Sequence, residues 1–437
     1  MRFSQATAER AVHARLAAIE EGTLEVRHRG ATTVFGGGGD LRASVTVRDP
    51  AFFTALAMGG HLGAAESYVR GEWDADDLTA VVRIFLRNRD VLEAIETGWA
   101  RAVQPIAWAM RALRRNTRAG SSRNIRAHYD LGNEFFALFL DETLTYSAGV
   151  LEHPGSTLAD ASTAKYERLC RKLALTAGDR VVEIGSGWGG FALHAAGRHG
   201  SRVTTTTISP AQAALARERV AAAGLGSRID LLERDYRDLE GRFDKLVSIE
   251  MIEAVGHQYY REYFECCAAL LEPHGLAAIQ AITIQDRFYA PDRPDFINRY
   301  VFPGSCIPSV AALTAALAHT DLRLVHFEDI TPHYAETLRR WRERFEAAWP
   351  AARALGFDER FRRLWRFYLC YSEGGFAESV LGSVQLVLAK PHATLPAAIA
   401  PALPTRFTPT EATGRADPRG EARPVRMADT DEWERAG

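Results

Sequence analysis

Few cysteines and almost no net charge narrow the field before any motif is read. The five cysteines, Cys170, Cys266, Cys267, Cys306 and Cys370, show no CxxC pair and no Cys/His metal spacing, and an odd count in a large chain argues against a disulfide framework. A reducing compartment and no metal are expected. Against 55 acidic residues stand 53 basic ones, a formal charge of −2 that offers no general attraction to nucleic acid. Met1 to Arg27 carries charges on both sides of Leu16-Ala17-Ala18-Ile19 and lacks an apolar run long enough for a signal or a span. A cytosolic chain is expected, with any membrane contact peripheral. Its 437 residues exceed what one core supports, so two domains plus appendages are expected.

A further absence lies inside the strongest motif. Val181-Val182-Glu183-Ile184-Gly185-Ser186-Gly187-Trp188-Gly189-Gly190 is an apolar strand running into a glycine-rich turn, followed by a helical pattern from Phe191 to His199. Gly185, Gly187 and Gly190 have the spacing of a dinucleotide fingerprint. Such a site wants an acid about 20 residues on, at the end of the second strand. Thr204-Thr205-Thr206-Thr207-Ile208-Ser209 stands there with no carboxylate. Glu183, two residues before the first glycine, stands instead where S-adenosylmethionine enzymes place a group near the cofactor's amino-acid end. Glycines at a helix N-terminus let a ligand approach backbone amides.

Around this turn the chain is expected to divide at about residues 98, 127 and 390. In 1–98, Gly22–Arg27 and Leu41–Val47 alternate as strands separated by the turn Gly36-Gly37-Gly38-Gly39, and helical patterns follow through Phe52–Met58, Leu62–Val69 and Leu78–Leu86, which predicts a small α+β domain. Over 99–127, Trp99, Val103, Ile106, Met110 and Leu113 recur at helical spacing. Arg101, Arg111, Arg114, Arg115, Arg118, Arg123 and Arg126 accompany them with no acid from 101 to 127, as a basic amphipathic helix for an anionic lipid surface or a solvated interdomain helix would. From Gly178, strands and helices alternate, which predicts a doubly wound, mostly parallel sheet. Helical stretches around Tyr334–Trp349 and Phe361–Phe367 are expected to cover one end of it. Residues 391–437 are Pro/Ala-rich and polar, with too few large apolar residues to fold.

At His128-Tyr129-Asp130-Leu131-Gly132-Asn133-Glu134-Phe135-Phe136 and Leu144-Thr145-Tyr146-Ser147 the chain resembles the cyclopropane-fatty-acyl-phospholipid synthase family. The match continues through the glycine turn, Thr207-Ile208-Ser209-Pro210-Ala211-Gln212, Val247-Ser248-Ile249-Glu250-Met251-Ile252-Glu253, Phe296-Ile297-Asn298-Arg299-Tyr300-Val301-Phe302-Pro303, His333-Tyr334-Ala335 and Tyr368-Leu369. It includes Gly71-Glu72-Trp73-Asp74 and Asp76-Asp77-Leu78, so it covers nearly everything but the tail. The resemblance implies a Rossmann-like methyltransferase domain over 128–390 with helical lid insertions, and S-adenosylmethionine held by Tyr146, Ser147, Glu183, Gly185, Gly187, Gly189, Thr207 and Gln212. It implies transfer of a one-carbon unit to the cis double bond of an unsaturated phospholipid acyl chain at the inner face of the membrane, closing a cyclopropane ring. Phe135, Phe136, Tyr146, Tyr260, Tyr300, Phe302, Phe367 and Tyr368 are candidates to shelter the cationic intermediate. A homodimer is compatible with this, and a separate reductase is required only for a methyl-branched product.

The family's base is commonly a bicarbonate held by cysteine, glutamate, histidine, tyrosine and a backbone group. Ala148 and Ile282 stand at the cysteine and histidine positions, while Glu253, Tyr368 and Ile284 are retained. A buried anion without its donors is costly, which puts bicarbonate in doubt. Two carboxylates appear where the family has small residues, Glu250 and Glu373. Glu373, followed by Gly374-Gly375, is the expected base, with Tyr368 and Glu253 orienting it and Glu250 the other candidate. The expected product is the cyclopropane ring, with a methylene or methyl branch as the alternative and small-molecule methylation as a weaker one.

Overall fold

The computed structural model describes residues 5–96, 131–293 and 295–400. The basic stretch 99–127, the residues His128-Tyr129-Asp130 and the tail from 401 lie outside the described residues; 391–400 form neither helix nor strand.

The N-terminal part opens with α1 (Gln5–Leu16) and builds a three-stranded sheet in the order β1 (Glu21–His28), β2 (Ala31–Val47), β3 (Trp73–Ala75). A hairpin at Arg29-Gly30 brings Ala31 opposite His28, and this extra run of strand was not read from the sequence. At Gly36–Gly39 the long β2 turns back on β1, so that Thr23 faces both Gly36 and Arg42. Gly36, Gly37 and Gly39 all have positive φ, which is why side-chain-free residues sit at this corner. α2 (Ala51–Val69) is two helical patterns joined across a kink at Gly60, and α3 (Leu78–Arg87) starts at an Asp77 cap; α4 (Arg89–Glu96) follows.

After α5 (Asn133–Ala137) comes α6 (Leu158–Leu173), whose start is set by a Thr157/Asp160 capping box. Then β4 (Arg180–Ile184), α7 (Gly190–His199), β5 (Arg202–Thr206), α8 (Pro210–Ala222), β6 (Ile229–Leu232), β7 (Phe243–Ile249), α9 (Tyr260–Leu270) and β8 (Leu271–Ile284) alternate. α10 (Val310–Leu317), β9 (Arg323–Asp329), α11 (Thr331–Ala347), α12 (Trp349–Ala354), α13 (Glu359–Ala377) and β10 (Leu381–Ala389) complete the order. The seven strands run β6-β5-β4-β7-β8-β10-β9. β4 to β8 are parallel, and β10 lies antiparallel between β8 and β9. This is the doubly wound, mostly parallel sheet with helical additions that the alternation predicts. Strand order reverses at β4, and ligands of open α/β sheets lie at the carboxyl end of such a strand. Val181, Val182 and Ile184 are buried because β4 has helices on both faces.

α13 joins the two sheets' surroundings. Arg363 donates to the carbonyls of Tyr68 and Trp73, and Arg83 and Arg87 of α3 both bind Glu378 just past the end of α13, at 2.6 and 2.8 Å. Gly374 lets the helices touch, since a Cβ there would lie 2.7 Å from Val82 Cγ1. Gly375 likewise faces Leu381 at 2.9 Å. Gly374 therefore serves protein packing rather than close approach to a ligand, contrary to expectation, whereas Gly375 also borders a cavity. Gly374→Val is expected to destabilise the fold by about 1–3 kcal/mol through overpacking, read from the midpoint of urea denaturation.

Candidate active site

One cavity of about 550 Å³ runs from the glycine turn past Glu250 and Glu253 into the N-terminal sheet, where Leu16, Leu24 and Val26 line it. At its first end, β4 hands the chain to α7 through Gly185 (φ +91°) and Gly187 (φ +48°). The amides of Gly185 and Ser186 donate to the Thr206 carbonyl at 3.1 and 2.8 Å, which locks the turn onto β5. A Cβ on Gly185 would meet Met251 at 2.8 Å, whereas one on Gly187 would meet nothing within 4 Å. The space over Gly187 is therefore open, as a cradle for a ligand that rests on backbone must be. Gly189 is different: a Cβ there would touch Ala216 at 3.4 Å, and the residue does not line the cavity. Its expected cofactor contact is corrected to a packing role against α8.

Glu183 is buried on the wall and accepts a 2.6 Å hydrogen bond from the Thr205 hydroxyl. Burial pushes its pKa up to about 8, against the pull of Thr205 and Lys165. Thr207 donates to Gln212 Oε1 at 2.9 Å, and both line the cavity where the family's ribose contacts were expected. Asp235, held by Arg237 at 2.6 Å, and Tyr236 share this wall. Neither was foreseen, because nothing in their local sequence marks the loop after β6. The space over Gly187, the carboxyl of Glu183 and the polar Thr207–Gln212 pair fit S-adenosylmethionine, which carries an amino acid, a ribose and a base.

The centre of the cavity is polar in a way the sequence only half showed. Glu250 sits at φ +50°, a left-handed conformation uncommon for a non-glycine residue. Its Oε1 accepts from the Ala148 amide and from Gln280 Nε2, both at 2.8 Å, and its Oε2 from the Tyr334 hydroxyl at 2.6 Å. Lys165, fully buried on α6, donates to Ser147 Oγ at 2.5 Å. Burial lowers its pKa to about 8, with Glu250 the foremost charge opposing that shift. Burial raises the pKa of Glu250, and Lys165 is first among the groups that pull it back. Glu253 accepts from the Ile282 amide through Oε1, while its Oε2 is buried without a partner. Its pKa is pushed up to about 8 by burial and by the charge of Glu250. Two neighbouring carboxyls thus differ in role: Glu250 has three donors and a cation to support its charge, and Glu253 is kept neutral near pH 7.

The expected base, Glu373, is elsewhere. It forms a fork with Arg342, 2.8 Å from Nε to Oε2 and 3.3 Å from Nη2 to Oε1, and it does not line the cavity. A carboxylate committed to a guanidinium outside the cavity cannot take a proton from a substrate within it, so the expectation for Glu373 is corrected, and of the two candidates Glu250 is the one that lines the cavity. Bicarbonate does not fit either. Glu250 already holds the Ala148 amide, and an added anion would face the Glu250 carboxylate. The Ile284 amide, expected at a bound anion, donates to the Pro308 carbonyl at 2.9 Å.

Of the eight aromatic candidates, Tyr146, Phe302, Phe367 and Tyr368 line the cavity, and the Tyr146 and Tyr368 hydroxyls are 2.9 Å apart. Phe135 and Phe136 are fully buried in the core beside Trp365, Tyr260 donates to the Cys306 carbonyl, and Tyr300 is surface-exposed and donates to Glu66. These four are corrected to structural roles. Lys165 and Gln280 were missed, and Tyr334 was visible only as part of the His333-Tyr334-Ala335 match.

Comparison with known proteins places the chain in a family. Residues 116–386 match the family model for mycolic acid cyclopropane synthetase. The tuberculostearic acid methyltransferase UfaA1 of Mycobacterium tuberculosis is 40% identical over 80% of this chain and 84% of its own. The cyclopropane-fatty-acyl-phospholipid synthase of Escherichia coli K12 is 33% identical over 80% and 89%. The solved mycolic acid cyclopropane synthase CmaA1 complexed with SAH and CTAB superposes with a TM-score of 0.58 at 28% identity, covering 62% of this chain and 98% of that one. The chain belongs to the mycolic acid cyclopropane synthetase family of S-adenosylmethionine-dependent lipid methyltransferases.

Proposed function

We propose that this enzyme adds a one-carbon unit to the cis double bond of an unsaturated phospholipid acyl chain, that Glu250 is its base, and that the product is the methylene-branched chain. The observation that carries this is the Glu250 carboxylate, built into the cavity where the cofactor cradle meets the apolar stretch. Bound S-adenosylmethionine supplies an electrophilic methyl group. Gly187, Glu183, Thr207 and Gln212 would hold it, with Tyr146 and Ser147 between it and the lipid. Leu16, Leu24, Phe52, Leu78 and Val81 line the rest of the cavity, and burying the chain there contributes roughly 0.8 kcal/mol per methylene.

Methyl transfer to the double bond, with the methyl–sulfur bond broken and its electron pair left on the thioether, would make the neighbouring carbon a secondary cation. The faces of Tyr146, Phe302 and Tyr368 shelter it, and an acyl chain filling the apolar stretch would keep bulk water from trapping it. Immediate loss of a proton from the new methyl closes the ring. A hydride shift from the methyl-bearing carbon first gives a tertiary cation, and loss of a methyl proton then leaves an exocyclic double bond. Glu250 accepts that proton in either case. The hydride shift is downhill, since it turns a secondary cation into a tertiary one. The methyltransferase name of the 40% identical relative supports this branch; the synthase name of the Escherichia coli relative favours the ring as second reading.

Substrate is met at the cytoplasmic face of the bilayer in this reading, and no described helix is long and apolar enough to cross a membrane. The test is expression in a host without related enzymes, followed by lipid NMR. The expected product carries a vinylidene CH₂, and with acyl chains deuterated at both olefinic carbons one deuteron moves to the adjacent carbon. Ring protons with both deuterons in place would overturn the branch, and unmodified lipids would overturn the substrate class.

A further inference from the structure

A cluster on the far side of α6 plays no part in this chemistry. Cys170 Sγ and ring nitrogens of His194 and His199 lie within 4.8 Å of one another, brought together by α6 and α7. Between the histidines stands Glu167: its Oε2 is 3.1 Å from Nε2 of His194 and 3.1 Å from Nε2 of His199. Its other oxygen is held by Arg171 at 3.0 Å, which turns Oε2 toward the two rings. Cys170 is buried, and the two histidines and Glu167 are partly accessible, so the cluster has an apolar floor and a route for a small ion.

We infer that Cys170, His194, His199 and Glu167 bind one divalent transition-metal ion of the zinc type. The donor set is one thiolate, two imidazoles and one carboxylate, which suits tetrahedral zinc and does not suit calcium or magnesium. Ligand atoms on a zinc tetrahedron stand roughly 3.3–3.6 Å apart, given metal bonds of about 2.0–2.3 Å. Closing from 4.8 Å needs roughly 1.2–1.5 Å of approach, within reach of side-chain rotations of the two partly accessible histidines. Charge and protons balance. The metal takes the Nε2 lone pairs of two neutral histidines, whose single ring protons sit on Nδ1, and the thiol proton is released to solvent. A thiolate and a carboxylate then neutralise the dication. The ion would tie α6, which carries Lys165, to α7, which begins at the cofactor turn.

The test uses the full-length enzyme, stripped with a chelator and titrated with zinc alone and, separately, with cobalt(II). One equivalent of zinc should be taken up saturably, and the melting temperature should rise by a few degrees, because a ligand specific to the folded state stabilises it. Cobalt should give a near-ultraviolet sulfur-to-metal charge-transfer band that Cys170→Ser abolishes. His199→Gln, at the accessible end of α7 where folding is least at risk, should weaken zinc binding about tenfold or more. Absence of saturable uptake in the parent, or uptake unchanged in His199→Gln and Cys170→Ser, overturns the site.

Discussion

Glu250→Gln is expected to lower turnover about 10²–10⁴-fold, the usual loss when a general base is removed, while calorimetric affinity for S-adenosylmethionine stays near the parent's. Glutamine preserves shape and can still accept from Ala148, but it cannot take a proton. Only the ionised carboxylate is a base, so the parent's rate should fall as pH drops through the pKa of Glu250. Burial has raised that pKa, and the acidic limb should therefore lie above the ordinary carboxylate range. The residual activity of the variant should lack this limb. Removing bicarbonate from the buffer should leave the parent unaffected. Glu250→Gly offers a second probe, because it relieves the left-handed backbone at φ +50° and vacates the space beside Ala148, Gln280 and Tyr334. Added bicarbonate should partly restore turnover there. Near-parental turnover in Glu250→Gln, or silencing of the parent by bicarbonate removal, ends the assignment.

The second large effect concerns Gly187. Gly187→Val combines a β-branched residue with φ +48° and places its side chain in the open space of the cradle, so S-adenosylmethionine binding should be lost. Asparagine tolerates that backbone and separates the two causes. Filling the space alone should cost about 1–3 kcal/mol, or roughly 5- to 150-fold in affinity at 1.4 kcal/mol per tenfold. Far-ultraviolet circular dichroism should match the parent's for Gly187→Asn. Unchanged affinity in that folded variant would remove the glycine turn from the cofactor site.

What could be read from the residues divides by distance along the chain. β4, its turn and α7 form a continuous stretch, so period, glycines and helix start all stood side by side in the sequence. The proposed catalytic centre is assembled from Lys165, Glu250, Gln280 and Tyr334 on four separate stretches of chain, and no local pattern records such a meeting. A lysine is ordinarily read as solvent-facing, which hid Lys165. Glu373 misled through helix geometry. It lies five residues beyond Tyr368, about 140° around a helix of 3.6 residues per turn. Tyr371, Ser372 and Gly375, at three, four and seven residues, share the Tyr368 face and do line the cavity. The cysteine–histidine cluster escaped a spacing rule for the same reason, since its ligands come from two helices.

The dependence of α13 on its neighbour α3 sets a limit on how small a working version of this enzyme can be. Two adjacent glycines weaken the last turns of an isolated helix by roughly 1 kcal/mol each relative to alanine, and here Val82, Arg83 and Arg87 hold those turns in place. A chain trimmed to begin after α4 would keep Glu250, Lys165, Tyr334 and every cofactor contact. It would nevertheless bare an apolar groove along α13 and let that helix unravel back toward Tyr368, so the shortened protein should aggregate and lose activity together.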